Sequence, residues 1–113
     1  MLKRFETKIL EEAFDFVQQQ DMKVRKKILQ NIRRAEIFTD PKFFKKLNHE
    51  IWEFRIKYNG NQYRLLAFWD KENKKETLVF ATHGFVKKTS KVDPKEIDKA
   101  EKIRLKYLKN KKQ

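Results

Sequence analysis

Two arginines, Arg55 and Arg64, stand at equal distances on either side of an Asn59-Gly60 pair. Asn-Gly between alternating apolar residues is the strongest short hairpin signal, because both central residues of a type I′ turn need positive φ. A two-residue turn there pairs Tyr58 with Asn61, Ile56 with Tyr63 and Phe54 with Leu65 on one face of the hairpin. On the other face it sets Lys57 against Gln62 and Arg55 against Arg64. Like charges directly opposite each other weaken a strand pair, so fold stability alone does not choose these arginines, and Arg64→Ala should leave stability unchanged or slightly raised. Two guanidiniums on adjacent rigid strands do make a receptor for phosphate, which arginine grips bidentately while staying charged at any working pH. The bland alternative is that Glu53 and Glu50 neutralise the pair in a solvated network.

Lys87 and Lys88 directly follow the third expected strand and can converge on the same face, although a lysine pair in so basic a chain is also an ordinary solvated surface. His83, near the end of that strand, has the side chain for acid or base work near neutral pH, or for a structural hydrogen bond. His49 has weaker support. Lys45, Lys46, Lys57 and Lys91 are candidates for neutralising a nucleic-acid backbone, with plain surface lysines as the alternative. With no cysteine and two histidines, a metal site would rest mainly on carboxylates, so neither metal nor cofactor is expected.

Charge supports a polyanionic partner. Lys plus Arg number 29 against 16 Asp plus Glu, a formal charge of +13, and residues 86–113 alone carry 11 against 4. Such a segment favours RNA or DNA through counterion release, but it selects no sequence, and an acidic protein would satisfy it equally.

The elements that must position these groups are well punctuated. The 113 residues fit one domain, 1–113, and 10 Phe, 3 Tyr and 2 Trp are too many large apolar groups for a disordered chain. After a short opening run with strand character, Ile9, Leu10, Ala13, Phe14, Phe16 and Val17 recur at helical spacing up to about Gln20. Asp21 is an N-cap for a second helix, striped by Val24, Ile28, Ile32 and Ala35, with Lys23, Arg25, Lys26, Lys27, Arg33 and Arg34 on its other faces. Asp40-Pro41 predicts a short helical turn over 42–47, with Phe43 and Phe44 inward. From Ile51 the period becomes two, which predicts strands Ile51–Tyr58, Asn61–Trp69 and, past a polar loop at 70–76, Thr77–Phe85, with Gly84 marking a bend or an end. Asp93-Pro94-Lys95-Glu96 is a capping-box variant opening a last helix, with a basic flexible tail at about 109–113. The expected fold is α+β: an N-terminal helical hairpin packed on a small antiparallel β-sheet with a C-terminal helix, the helices on one face. No stretch approaches the roughly 20 apolar residues of a membrane span, and charges interrupt the opening residues where a signal peptide is apolar, so a cytoplasmic location is expected.

From about Lys46 to Ala100 the chain resembles the RelE/ParE toxin superfamily, and within it the HigB-like, phage-derived branch of type II toxin–antitoxin systems. The stretches that carry the resemblance are KLNHEIWEFRIKYNGNQYRLLAFWD and LVFATHGFVKKTSKVDPKEIDKA. It implies a RelE-like fold and, in the RNA-cleaving members, entry into the ribosomal A site and metal-independent cutting of messenger RNA. It further implies that Arg55 and Arg64 bind phosphate, that Lys87 and Lys88 occupy the family's basic positions after the third strand, and that a ribose 2′-hydroxyl attacks the adjacent phosphate. His83 and Tyr107 are then candidates for proton transfer. The implied partners are the ribosome, mRNA and a cognate acidic helix-turn-helix antitoxin, with no membrane and no cofactor. Two alternatives stand beside this: a ParE-like toxin that inhibits gyrase, and an inactive domain that binds nucleic acid or a partner. Arg55, Arg64 and the lysine pair favour the nuclease.

Overall fold

Asn59 and Gly60 both have positive φ, 51° and 82°, and the turn they make sets the register of the whole sheet. The computed structural model describes residues 2–48, 50–71 and 78–111, so His49, most of the expected 70–76 loop, Thr77 and the last two residues of the expected tail lie outside them. In chain order the elements are β1 (Glu6–Ile9), α1 (Glu11–Gln18), α2 (Met22–Ile37), β2 (Phe44–Lys46), β3 (Trp52–Tyr58), β4 (Asn61–Asp70), β5 (Leu78–Lys87) and α3 (Pro94–Lys111). Every pair expected from the turn is present: Tyr58 with Asn61, Lys57 with Gln62, Ile56 with Tyr63, Arg55 with Arg64 and Phe54 with Leu65.

The sheet itself departs from expectation. It has five strands in the order β1-β5-β4-β3-β2 and is mixed, because β1 runs parallel to β5 while the other pairs are antiparallel. This corrects the small antiparallel sheet and the RelE-like arrangement expected above; the α+β class remains. The short turn at 42–47 is also corrected. Asp40 does accept from the Lys42 amide, but the chain then extends as β2, and Phe44 is buried against Phe54 and Trp52, with ring centroids 4.5 and 4.9 Å away. Pairing with β3 buries that ring, which one helical turn would leave at the sheet edge.

Helices cover both faces rather than one. The two N-terminal helices lie over the face carrying Phe54, Ile56, Leu65 and Val79, α1 chiefly on β5 and α2 on β3. The opposite face carries Leu66, Phe68 and Phe80, and α3 covers it through Ile97, Ala100 and Tyr107. The cause is legible in β4, whose residues from Tyr63 to Asp70 are all buried, as in a strand with both sides packed. Leu66 pairs with His83 but Ala67 with Ala81, so Thr82 is the extra residue of a bulge and its hydroxyl donates to the Leu66 carbonyl. Gly84 does not end β5, which continues to Lys87. A Cβ at Gly84 would stand 2.3 Å from the Phe16 ring, so glycine is what lets α1 seat on the sheet. The α3 helix continues through Lys109 to Lys111, shortening the expected tail.

Candidate functional site

Because β2 pairs only with Trp52, Glu53 and Phe54, the outer edge of β3 has no strand partner from Arg55 onward. Two other groups satisfy it. The Arg55 amide donates to the Phe43 carbonyl at 2.9 Å, and Asn31 of α2 reaches across to donate from Nδ2 to the Arg55 carbonyl at 3.1 Å. The gap between α2 and this edge is a cleft of about 620 Å³. Lys27, Asn31 and Arg34 line it from α2, at the i, i+4, i+7 spacing that puts them on one helical stripe. Lys42 and Phe43 line it from the turn before β2, and Arg55, Lys57, Gln62 and Arg64 from the hairpin. Six cations and no carboxylate face this space among the described residues, which is the electrostatic footprint of an anion site.

The two central arginines are not equivalent. The Arg64 side chain is 3% exposed, with Nε 3.0 Å from Oε1 of Glu53, itself 4% exposed. Neither atom makes a hydrogen bond of ordinary geometry, so the contact is ionic rather than directed. Arg64 Nη2 donates to Gln62 Oε1 at 2.6 Å and Nη1 to the Tyr63 carbonyl at 3.2 Å, which fixes the guanidinium as the floor of the cleft. Burial pushes its pKa below the ordinary value, Glu53 opposes this, and Arg55 adds to the depression. Arg55 is one-third exposed, 3.8 Å from Glu53 Oε2, and its Nη1 donates to the Pro41 carbonyl at 3.3 Å. The expected solvated network is therefore half replaced: Glu53 is a buried counter-ion chiefly for Arg64, while Glu50 pairs with Arg104 of α3 at 3.6 Å. The idea that Arg64 is dispensable to the fold is corrected with it.

Lys87 is the register partner of Gln62, beside the cleft rather than in its lining. Partial burial, and then the charge of Arg64, lower its pKa, with further depression from Arg55 and Lys45 and opposition from Glu53. Lys45 pairs in register with Glu53 and Lys46 with Trp52, and both border a separate hollow with Arg4 and Pro41. Lys87 also lines, with Lys88 and Lys91, a smaller hollow of about 180 Å³ that holds Asp93 and Glu96, where cations meet carboxylates. His83 is buried beneath the start of α3, its Nδ1 3.0 Å from Thr82 Oγ1 and its Nε2 3.1 Å from Glu96 Oε1. Glu96 thus turns to the sheet instead of closing the capping box on Asp93. Tyr107 packs at a tilt on Phe80, ring centroids 4.4 Å apart, and donates to Asp70, which also meets Lys111. Neither His83 nor Tyr107 faces the cleft.

The structure thus brings Arg55, Lys57 and Arg64 together, sets Lys87 and Lys45 near them, and places Lys46, Lys88, Lys91 and His83 elsewhere. Reasoning from sequence missed Lys27, Asn31, Arg34, Lys42 and Phe43 as site residues. The polar stripe at 27, 31 and 34, flanking the apolar stripe of α2, was the available signal. Among the described residues no helix is long and apolar enough to cross a membrane.

No curated protein and no solved structure matches the chain. The family model described as "Phage derived protein Gp49-like (DUF891)" matches residues 15–105, from within α1 to the latter part of α3. The cationic cleft and every strand from β2 to β5 fall inside that span, and the chain belongs to the Gp49-like family of phage-derived proteins, a family related to toxin–antitoxin systems.

Proposed function

We propose that this chain is the toxin of a type II toxin–antitoxin pair and acts in the cytoplasm as a ribosome-dependent, metal-independent mRNA endoribonuclease. The observation that carries the reading is the cleft on the open edge of β3, where six cations converge without a lining carboxylate. In the reaction the 2′-oxygen attacks the adjacent phosphorus, a P–O2′ bond forms, and the P–O5′ bond breaks. The 2′-hydroxyl proton leaves to a base and the 5′-oxygen takes one up, giving a 2′,3′-cyclic phosphate and a 5′-hydroxyl end. Arg55, reachable from solvent, stabilises the charge that builds on the phosphorane oxygens, while Arg64, held by Glu53 and Gln62, fixes the floor beneath it. Lys87, beside Arg64 in the sheet, adds a further positive charge next to the site. His83, bonded to Glu96 of α3, and Tyr107, bonded to Asp70, lie away from the cleft and take no part in the proton transfers of this reading. An acidic antitoxin would be captured quickly by the +13 charge.

The test is induced expression without an antitoxin, followed by single-turnover cleavage on programmed ribosomes. Growth arrest with cut messages is expected, and Arg55→Ala should cost about 10²–10³ in rate, the usual effect of losing one preorganised donor to a developing oxyanion. Undiminished cleavage by a folded Arg55→Ala protein would overturn the site assignment. Arrest with intact messages and gyrase-linked DNA breaks would point instead to the gyrase-inhibiting reading.

A further inference from the structure

Among the cleft's cations lies one aromatic ring. Phe43 is half-buried, packs on one side against the main core, and lines the cleft on the other. Two long side chains, Arg34 exposed and Lys42 partly so, bring cations near it, the Arg34 guanidinium carbon 6.0 Å from the ring centroid and the Lys42 ammonium nitrogen 5.9 Å away, and both can swing outward to admit a base. Its backbone is tied to the opposite wall, since the Phe43 carbonyl accepts from the Arg55 amide. Asn31 bonds the Arg55 carbonyl and also accepts from Arg34 Nη1 at 3.2 Å, so the guanidinium is linked to the strand edge beside the ring.

We propose that Phe43 is a base-stacking platform, and that the cleft therefore takes single-stranded RNA with one base on the Phe43 ring and the flanking phosphates on Arg34 and Lys42 to one side and Arg55 and Lys57 to the other. The assignment rests on the nuclease reading above and adds what that reading leaves open, namely which part of the strand the site recognises. Cations alone bind any polyanion; an aromatic face set among them selects for a nucleobase, the combination that sequence-tolerant single-strand binders use. An acidic peptide would gain from the cations and nothing from the ring. Duplex RNA would keep its bases stacked away from it. The Asn31 and Gln62 amides give the lining further polar groups beside the ring.

The probe is a short 2′-O-methyl oligoadenylate, which cannot be cut because its attacking hydroxyl is blocked, measured by fluorescence anisotropy against an abasic oligomer of equal length and charge. The intact protein should prefer the oligoadenylate by roughly 5- to 150-fold, the range that one stacked base contributes. Phe43→Leu, which keeps an apolar group against the core, should bring the oligoadenylate down to the abasic affinity and leave abasic binding unchanged; Phe43→Tyr should retain the preference. Equal binding of the two oligomers by the parent, a preference that survives Phe43→Leu, or poly-glutamate binding as tightly as oligoadenylate would each overturn the platform. Salt-steep but base-blind binding removes the platform and leaves the nuclease reading standing, whereas no binding to any polyanion removes both.

Discussion

Replacing Arg64 by alanine should unfold the protein more readily, not less, although the residue faces another arginine across the hairpin. The decisive neighbour is Glu53, whose carboxylate is 4% exposed and has Arg64 Nε at 3.0 Å as its close counter-charge. Among the described residues, the only other cation within 4 Å of it is Arg55, at 3.8 Å and one-third exposed. Removing one partner of a buried pair leaves an uncompensated charge and costs about 3–5 kcal/mol, whereas a cross-strand like-charge contact is worth a few tenths up to about 1 kcal/mol. The first effect wins by several-fold. With an unfolding entropy of ~2.1 cal/mol/K per residue over 113 residues, or about 0.24 kcal/mol/K, that loss lowers Tm by roughly 12–21 °C. Arg64→Met, which keeps most of the stem, should lose nearly as much, separating the unpaired charge from a cavity. Glu53→Gln should cost less than Arg64→Ala, because Arg64 retains the Gln62 and Tyr63 oxygens as acceptors. Adding Glu53→Gln to Arg64→Ala should recover most of the loss. Thermal and urea denaturation of the four variants measures all of this. A single Arg64→Ala variant melting within a couple of degrees of the parent, or a double variant no more stable than it, would refute the reasoning.

Other outcomes follow from neighbouring contacts. Burial holds the His83 imidazole below its usual pKa of 6.5, with Lys99 in the same direction and Glu96 and Glu12 opposing, so the unfolded chain takes up the proton first as pH falls. Stability should be intact above about pH 6.5 and decline below it, and the urea midpoint of a His83→Gln variant should lack that slope; an unchanged slope would assign it to other groups. Gly84→Ala forces a Cβ against Phe16 and Leu65 at 2.3 and 2.6 Å and should destabilise by about 1–3 kcal/mol, readable as a lowered urea midpoint, with Phe16→Ala in the same chain recovering part of it. Arg55→Ala, by contrast, should stay within about 1 kcal/mol of the parent in stability while losing cleavage, since its side chain is partly solvated.

Much of the hairpin was legible from residues alone because its information is local. Asn59-Gly60 sets the turn, the turn sets the register, and the register places Arg55 opposite Arg64 without reference to the rest of the chain. Asp21 capping α2 is equally local: its side chain accepts from the Val24 amide at 3.0 Å. What failed depended on distant partners. The four residues of β1 alternate weakly in exposure, and their pairing with Leu78–Ala81 lies some seventy residues along the chain, beyond any pattern within a window. For β2, cap chemistry at Asp40-Pro41 correctly announced a turn, but burial of Phe44 against β3 ended it after a few residues. Placing α3 on the other face required reading Leu65 to Trp69 as packed on both sides.

The same division between register and depth explains the candidate site. Alternation tells which residues share a face but not how far each lies beneath it, so Arg55 and Arg64 look alike in sequence and differ tenfold in exposure in the fold. Depth assigns them different work. Arg64, sunk beside Glu53, cancels a buried charge and holds the floor rigid. Arg55 keeps a reachable guanidinium because β2 stops one residue short of it and Asn31, not a strand, takes up its carbonyl. A full-length β2 would have closed the edge, displaced α2 and removed Lys27, Arg34 and Lys42 from the opposite wall. The concentration of positive charge in the cleft therefore depends on one short strand as well as on the chain's overall excess of lysine and arginine.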